Sequence, residues 1–205
     1  MTDHLLHLYH AKDLPVDEGE VLRYAGCPKS DEAMRERMRA CLTEALPTVR
    51  FRLCWREFPV TVDGARVDLG FTEVTSDALA RNLSGCASVV VLAATAGYGI
   101  DRLIARYSQL EPSKAVWMQA IGAERVESLC DAFQAELASS RSPAVLRPRF
   151  SPGYGDLPLA LQRPLTAVLD SERAVGVTVN ESLLLSPSKS VTALIGIAGR
   201  SNPEQ

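Results

Sequence analysis

The run Ser88-Val89-Val90-Val91-Leu92-Ala93-Ala94 has no polar residue after its first position. A strand of this kind needs cover on both faces, which predicts a place at the centre of a sheet with other elements packed above and below it. The apolar stretch, Ala87–Ala94, is too short to span a bilayer. With 205 residues, 46% of them hydrophobic and 23% charged, the chain reads as an ordinary globular one, long enough to bury a single core. A net charge of −3 argues against a surface built for nucleic acid or for an anionic membrane.

Elements around that strand can be placed by period and punctuation. His4–His10 reads as an early strand ending near Pro15, and Asp17–Gly26 as a short helix with acids in its first turn. Ser30 is placed to cap a helix over Asp31–Leu46, with Met34, Met38, Cys41, Leu42 and Ala45 at helical spacing and Pro47 as its stop. Phe51, Leu53 and Trp55 alternate with Arg50, Arg52 and Arg56, the pattern of a strand with one buried face. Asp63-Gly64 predicts a hairpin between Val60–Val62 and Arg66–Leu69.

Further helices are predicted over Asp77–Leu83, Tyr98–Leu110, Ser113 to about Ala138, and near Leu159–Leu169. In the longest of them Val116, Ala120, Val126, Cys130, Phe133 and Leu137 are the candidate core positions. Gly176–Val179, Ser182–Leu185 and Val191–Ile197 read as strands. Strands and helices do not alternate strictly, so the prediction is α+β with a mainly antiparallel sheet.

Several candidate sites are best explained without function. His4, His7 and His10 fall on neither one helical face nor one strand face, and nothing nearby completes a metal shell. Thr95-Ala96-Gly97-Tyr98-Gly99 sits where a phosphate loop would sit, but it lacks both GxGxxG and GK[ST], and a tight turn accounts for it. Every histidine lies within ten residues of the N-terminus and there is no GxSxG, so a Ser-His-Asp site is unsupported. Lys114 reads as solvated surface. The five cysteines are dispersed, without CxxC, and read as buried thiols of a reducing compartment. No signal-peptide pattern opens the chain, and a cytoplasmic location is expected.

One stretch stands apart. Arg147-Pro148-Arg149-Phe150-Ser151-Pro152-Gly153-Tyr154-Gly155-Asp156 combines rigid prolines, permissive glycines, two arginines and a tyrosine without a regular period. Arg149 offers a planar fork that matches a carboxylate, and Tyr154 an aromatic face with a hydroxyl. A ligand-binding loop and a proline-stiffened surface loop explain this chemistry equally well.

Arg149-x-x-x-Gly153-Tyr154 resembles the RxxxGY signature of the activation domain of cobalamin-dependent methionine synthase, which binds S-adenosylmethionine. Gly176–Ser182 and Pro187-Ser188-Lys189-Ser190-Val191 resemble that family's GxxLTES and PxxSV segments, and Glu127–Phe133 the helix before the signature. Asp17–Gly26 resembles the EVLRYLG segment of stand-alone members. The motif-bearing part is about residues 127–197, within a single domain spanning 1–205. Two departures stand out: Gly155 replaces the proline after Gly-Tyr, and the family's consecutive tyrosines beyond the last strand have no counterpart. The family's acid near the start of the domain has only a loose candidate in Asp17.

The resemblance implies a twisted, mainly antiparallel sheet flanked by helices. It also implies the reactivation half of a methyltransferase, in which reduction of an inactive Co(II) corrinoid is drawn forward by methyl capture from S-adenosylmethionine. The implied cofactor-binding residues are Asp131, Arg149, Pro152, Gly153, Tyr154 and Gly155, with Tyr154 also facing the corrin as the catalytic candidate and no metal ligands. Cobalamin would be carried by a partner, either a corrinoid-binding protein or a methionine synthase catalytic subunit. A flavodoxin or ferredoxin would donate the electron. Nucleic acid and membrane are not expected partners. The alternative is a non-catalytic module that docks on a corrinoid protein and keeps the fold without using S-adenosylmethionine. A class I methyltransferase would need a glycine-rich loop after its first strand, and none is present.

Overall fold

A computed structural model of the chain describes residues 5–11 and 13–199. Its strands are β1 (His7–Tyr9), β2 (Arg52–Pro59), β3 (Thr61–Asp63), β4 (Arg66–Asp68), β5 (Glu73–Thr75), β6 (Cys86–Thr95), β7 (Val145–Leu146), β8 (Thr178–Val179), β9 (Leu185–Ser186) and β10 (Ser190–Ala198). Its α-helices are α1 (Glu18–Tyr24), α2 (Glu32–Ala45), α3 (Asp77–Leu83), α4 (Tyr98–Leu110), α5 (Pro112–Ser140), α6 (Gln162–Val168) and α7 (Ser171–Val175).

The apolar run is the centre of the main sheet, as its composition demands. β6 lies between β2 and β10 in the order β1-β2-β6-β10-β7, and every pairing is antiparallel. One face carries Val89, Val91 and Ala93 with Leu194 of β10, packed against α3, α6 and the β3–β5 meander through Leu79, Leu83, Val67, Leu69 and Leu165. The other carries Val90, Leu92 and Ala94 with Ala193 and Ile195, covered by Val126, Leu129, Cys130, Phe133 and Leu137 of α5. A third cluster joins α1, α2, α4 and the first half of α5 around Met38, Ile100, Tyr107 and Met118. The fold is therefore α+β, with helices on both faces of an antiparallel sheet. No helix among the described residues is long and apolar enough to cross a membrane.

Several expectations need correction. β2 is buried on both faces, because Cys54 and Phe58 enter one cluster while Leu53 enters the other. Asp31, not Ser30, caps α2 by accepting the Met34 amide at 2.8 Å. Val116 is 50% exposed, on the outer face of α5. Lys114 is not solvated surface: its ammonium pairs with Glu44 at 2.6 Å and donates to the Tyr107 hydroxyl at 3.0 Å. The helix expected near Leu159–Leu169 is present, as a 3-10 turn over Leu159–Leu161 that runs into α6, but a second one, α7, follows it unexpectedly after Asp170 takes a left-handed conformation (φ 46°). β1 ends at Tyr9 rather than near Pro15, with His7 stacked on Trp55, while His4 lies outside the described residues. Cys27 and Cys86 are only half-buried, whereas Cys41, Cys54 and Cys130 are buried.

Candidate functional site

Glu124, Glu127, Ser128 and Asp131 recur at three- and four-residue spacing along α5 and so share one helical face. The chain preceding α1 is tied to that face from below. The Arg125 guanidinium is 1% exposed as a residue, and it donates to the carbonyls of Leu14 (2.8 Å) and Pro15 (2.6 Å) and to the equally buried Glu124 at 2.5 Å. Glu124 in turn accepts the Asp17 amide at 3.0 Å and the Ser128 hydroxyl at 2.8 Å. Asp17 caps α1 through the Glu20 amide at 3.0 Å. The result is a cavity of about 210 Å³ lined by Asp17, Glu20, Tyr24, Glu127, Ser128 and Asp131, with Glu124 at its floor.

Arg149 closes the acidic face from the other end. Its neighbour Phe150 bridges to β10, exchanging both backbone hydrogen bonds with Leu194 at 2.9 Å, which fixes where the arginine leaves the sheet. The side chain, 18% exposed, donates from Nη1 to Asp131 at 2.7 Å and to Gln134 at 3.1 Å, and from Nη2 to Glu127 at 2.9 Å. Cys130 lies beside it on α5, and burial pushes that thiol up to about 12, so it stays protonated.

The loop after Arg149 has a defined shape. Pro152 and Leu157 are buried, and Gly153 and Gly155 adopt left-handed φ values of 91° and 55°. A Cβ on Gly155 would lie 3.0 Å from the Ala78 methyl, so the glycine is needed both for its φ and for close passage over α3. The Gly153 amide donates to the Leu157 carbonyl at 3.0 Å, closing a compact turn that leaves Tyr154 67% exposed.

Asp156 then locks the loop onto α3, accepting from the Ser76 hydroxyl and from the amides of Asp77 (2.7 Å) and Ala78 (3.1 Å). The Ser76 bond, followed by these amides, holds its carboxyl below the ordinary 3.8. A lowered folded-state value means that the contribution is complete above the unfolded value and is lost as pH falls through the folded one. Asp156→Asn should therefore be less stable than the parent at neutral pH, with the gap closing below about pH 4. Denaturant midpoints at pH 7 and pH 3 check this; a gap that does not shrink refutes the charge-based anchor.

Of the residues singled out from sequence, Asp131 and Arg149 are brought into contact. Pro152, Gly153, Tyr154 and Gly155 lie on the adjoining loop and do not line the cavity. One contributor was not singled out from the sequence and another was only a loose candidate. Glu127 is a second acid on Arg149, legible only as the i, i−4 neighbour of Asp131, and Asp17 gains its place through a contact 107 residues away. Among the described residues no cluster of His, Cys, Asp and Glu is arranged to hold a metal ion.

An antiparallel sheet in the order β1-β2-β6-β10-β7 with helices on both faces defines the class of fold to which the chain is similar: the reactivation domain of methionine synthase. One solved structure that shows it is the MetH reactivation domain bound to AdoHcy, which aligns with 99% of this chain and 81% of its own length at a TM-score of 0.63 and 13% identity. The likeness is one of fold. No family model matches the sequence, and no curated protein is significantly similar to it.

Proposed function

We propose that this chain is a stand-alone activation subunit of a cobalamin-dependent methionine synthase system. In this reading it binds S-adenosylmethionine for reductive remethylation of an oxidised corrinoid held by a partner protein. The observation that carries it is the acidic cavity beside Arg149, on a fold shared with a domain solved with AdoHcy. The ligand has a sulfonium, an ammonium and a carboxylate. Asp17 and Asp131 offer the negative charge that suits the two cations, and Arg149 offers a fork for the carboxylate.

A volume of about 210 Å³ suits the amino-acid end of the ligand. The nucleoside would lie outside it, along the Pro152–Gly155 backbone, with Tyr154 turned toward the corrin. When bound, S-adenosylmethionine supplies an electrophilic methyl group. The chain's own residues bind and orient it so that the methyl faces the partner's cobalt. A corrinoid-binding protein or methionine synthase catalytic subunit, with a flavodoxin or ferredoxin as electron source, completes the system.

Arg149 is already engaged by Asp131, Gln134 and Glu127, so a ligand carboxylate has to take over part of that network. This favours the second reading, a docking module that keeps the fold without using S-adenosylmethionine. Calorimetric titration separates the two. Saturable S-adenosylmethionine binding supports the first reading, and its absence supports the second. Charge-assisted bonds in a partly desolvated site contribute ~1.5–3 kcal/mol. Arg149→Ala should then weaken binding by roughly tenfold or more; unchanged affinity would remove Arg149 from the site.

A further inference from the structure

A second cavity carries the opposite charge. Where β2 begins and β6 turns into α4, a cavity of about 480 Å³ is lined by Arg50, Arg52, Thr95, Tyr98, Arg102 and Gly176, among others. Arg50 and Arg52 also line the adjoining cavity under the N-terminal strap, whose acid is Asp13. None of Arg50, Arg52 and Arg102 makes an ion pair among the described residues, whereas Arg125, Arg141 and Arg149 are each bound to carboxylates. Asp101 is occupied by the Ser188 amide at 2.7 Å and hydroxyl at 2.5 Å. Three guanidinium groups line one hollow whose wall carries no carboxylate, and they repel one another.

Local packing brings them there. A Cβ on Gly97 would lie 3.1 Å from the Arg50 carbonyl oxygen, and one on Gly99 2.2 Å from that of Thr48. The two glycines therefore let the 48–50 segment run against the start of α4, and the Arg50 amide donates to the Ala96 carbonyl at 2.8 Å. This settles the Thr95–Gly99 turn as a packing feature, with the arginines as its consequence. Arg50 is steadied by its own bonds to the carbonyls of Pro47 (2.9 Å) and Val49 (2.7 Å). The Arg52 Nη1 lies 3.8 Å from where a Cβ of Gly176 would be. Arg102 stands one turn above Tyr98 on α4, and the Tyr98 ring is 50% exposed at the rim.

The geometry points to this cavity as a binding site for a phosphate monoester that carries a planar aromatic group, a mononucleotide in type. Planar guanidinium forks match phosphate oxygens in pairs. The amides at the start of α4, on the cavity wall, add donors of the same sense. Tyr98 supplies a flat apolar surface for a ring, and the volume falls in the range of small-molecule pockets. S-adenosylmethionine, with its sulfonium charge, is the wrong ligand here, and this cavity shares no lining residue with the acidic one.

Calorimetric titration of the full chain at low salt, with inorganic phosphate and with AMP, tests the site. Both should bind competitively and weaken as salt is added, with AMP the tighter. Arg52→Glu and Arg102→Glu should each lower both affinities more than tenfold. Arg66→Glu, the same change of charge on the β3–β4 hairpin, should leave them unaltered. Tyr98→Ala should weaken AMP and spare phosphate. These side chains are exposed, and an unchanged melting temperature verifies that each variant is folded. Failure of both probes to bind the parent at millimolar concentration, or binding that survives Arg52→Glu and Arg102→Glu, overturns the proposal. Equal affinity for AMP and phosphate overturns its aromatic half.

Discussion

Arg125→Met should lower stability by about 3–5 kcal/mol, the cost of breaking a buried ion pair by removing one partner. For a domain of 150–250 residues that is a fall of roughly 6–20 °C in Tm. Glu124 and Arg125 are 2% and 1% exposed, so water cannot replace the missing guanidinium. The loss reaches further than one pair. Arg125 also satisfies the carbonyls of Leu14 and Pro15, and Glu124 receives the Asp17 amide, so the stretch leading into α1 depends on both.

Removing both charges at once, in Glu124→Leu with Arg125→Met, should cost much less than Arg125→Met alone, because no buried charge is left unpaired. Thermal melts of the two variants check the ordering. Hydrogen exchange of the amides from Val16 to Leu22 should accelerate in both, since each loses the Arg125 bonds to the Leu14 and Pro15 carbonyls, and the double variant loses the Glu124 bond to the Asp17 amide as well. A double variant no more stable than the single one would refute the burial argument. A single variant within about 1 kcal/mol of the parent would show that the pair is not buried in solution.

How far the sequence could be read follows from what each feature depends on. α3 and α4 were legible to the residue because their ends are local: Ser76 caps α3 through the Leu79 amide at 3.0 Å, Gly97 precedes α4, and Pro112 opens the next helix. β6 was legible because an unbroken apolar run has one physical solution. β2 misled because its arginines suggested a wet face, yet Cys54 and Phe58 on that side are covered by α3, α7 and the meander. α7 was invisible, since it is separated from α6 by a left-handed Asp170 that no pattern announces.

The candidate site divides in the same way. Arg149 and Asp131 could be named from their motif and their helix. Asp17 could be named only loosely, because its position is set by Glu124 and Arg125, a buried pair whose residue types on α5 read equally well as solvent-facing charge. The arginine cavity was hidden for a related reason. Arg50 and Arg52 looked like the polar side of a strand, and only the approach of the 48–50 segment to α4 gives them a common hollow with Arg102.

That approach can be tested by one methyl group. Two effects oppose each other in Gly99→Ala. Alanine in place of glycine within a helix ordinarily stabilises by roughly 0.5–1 kcal/mol. Here its Cβ would be 2.2 Å from the Thr48 carbonyl oxygen and 2.7 Å from the Thr48 Cβ, both far inside contact distance. Neither obstacle is the tip of a flexible chain. Thr48 ends a 3-10 turn whose Leu46 carbonyl holds the Val49 amide at 3.1 Å, so relief requires the whole 46–50 segment to move away from α4. Overpacking of this kind costs about 1–3 kcal/mol and exceeds the propensity gain. Denaturant unfolding should therefore show Gly99→Ala to be less stable than the parent, and a midpoint equal to or above the parent's would mean that the segment yields freely. The same displacement carries Arg50 off the cavity wall, so AMP affinity should fall with stability in this variant, whereas in Arg102→Glu it falls alone. The contrast separates a residue that builds the cavity from one that faces its ligand.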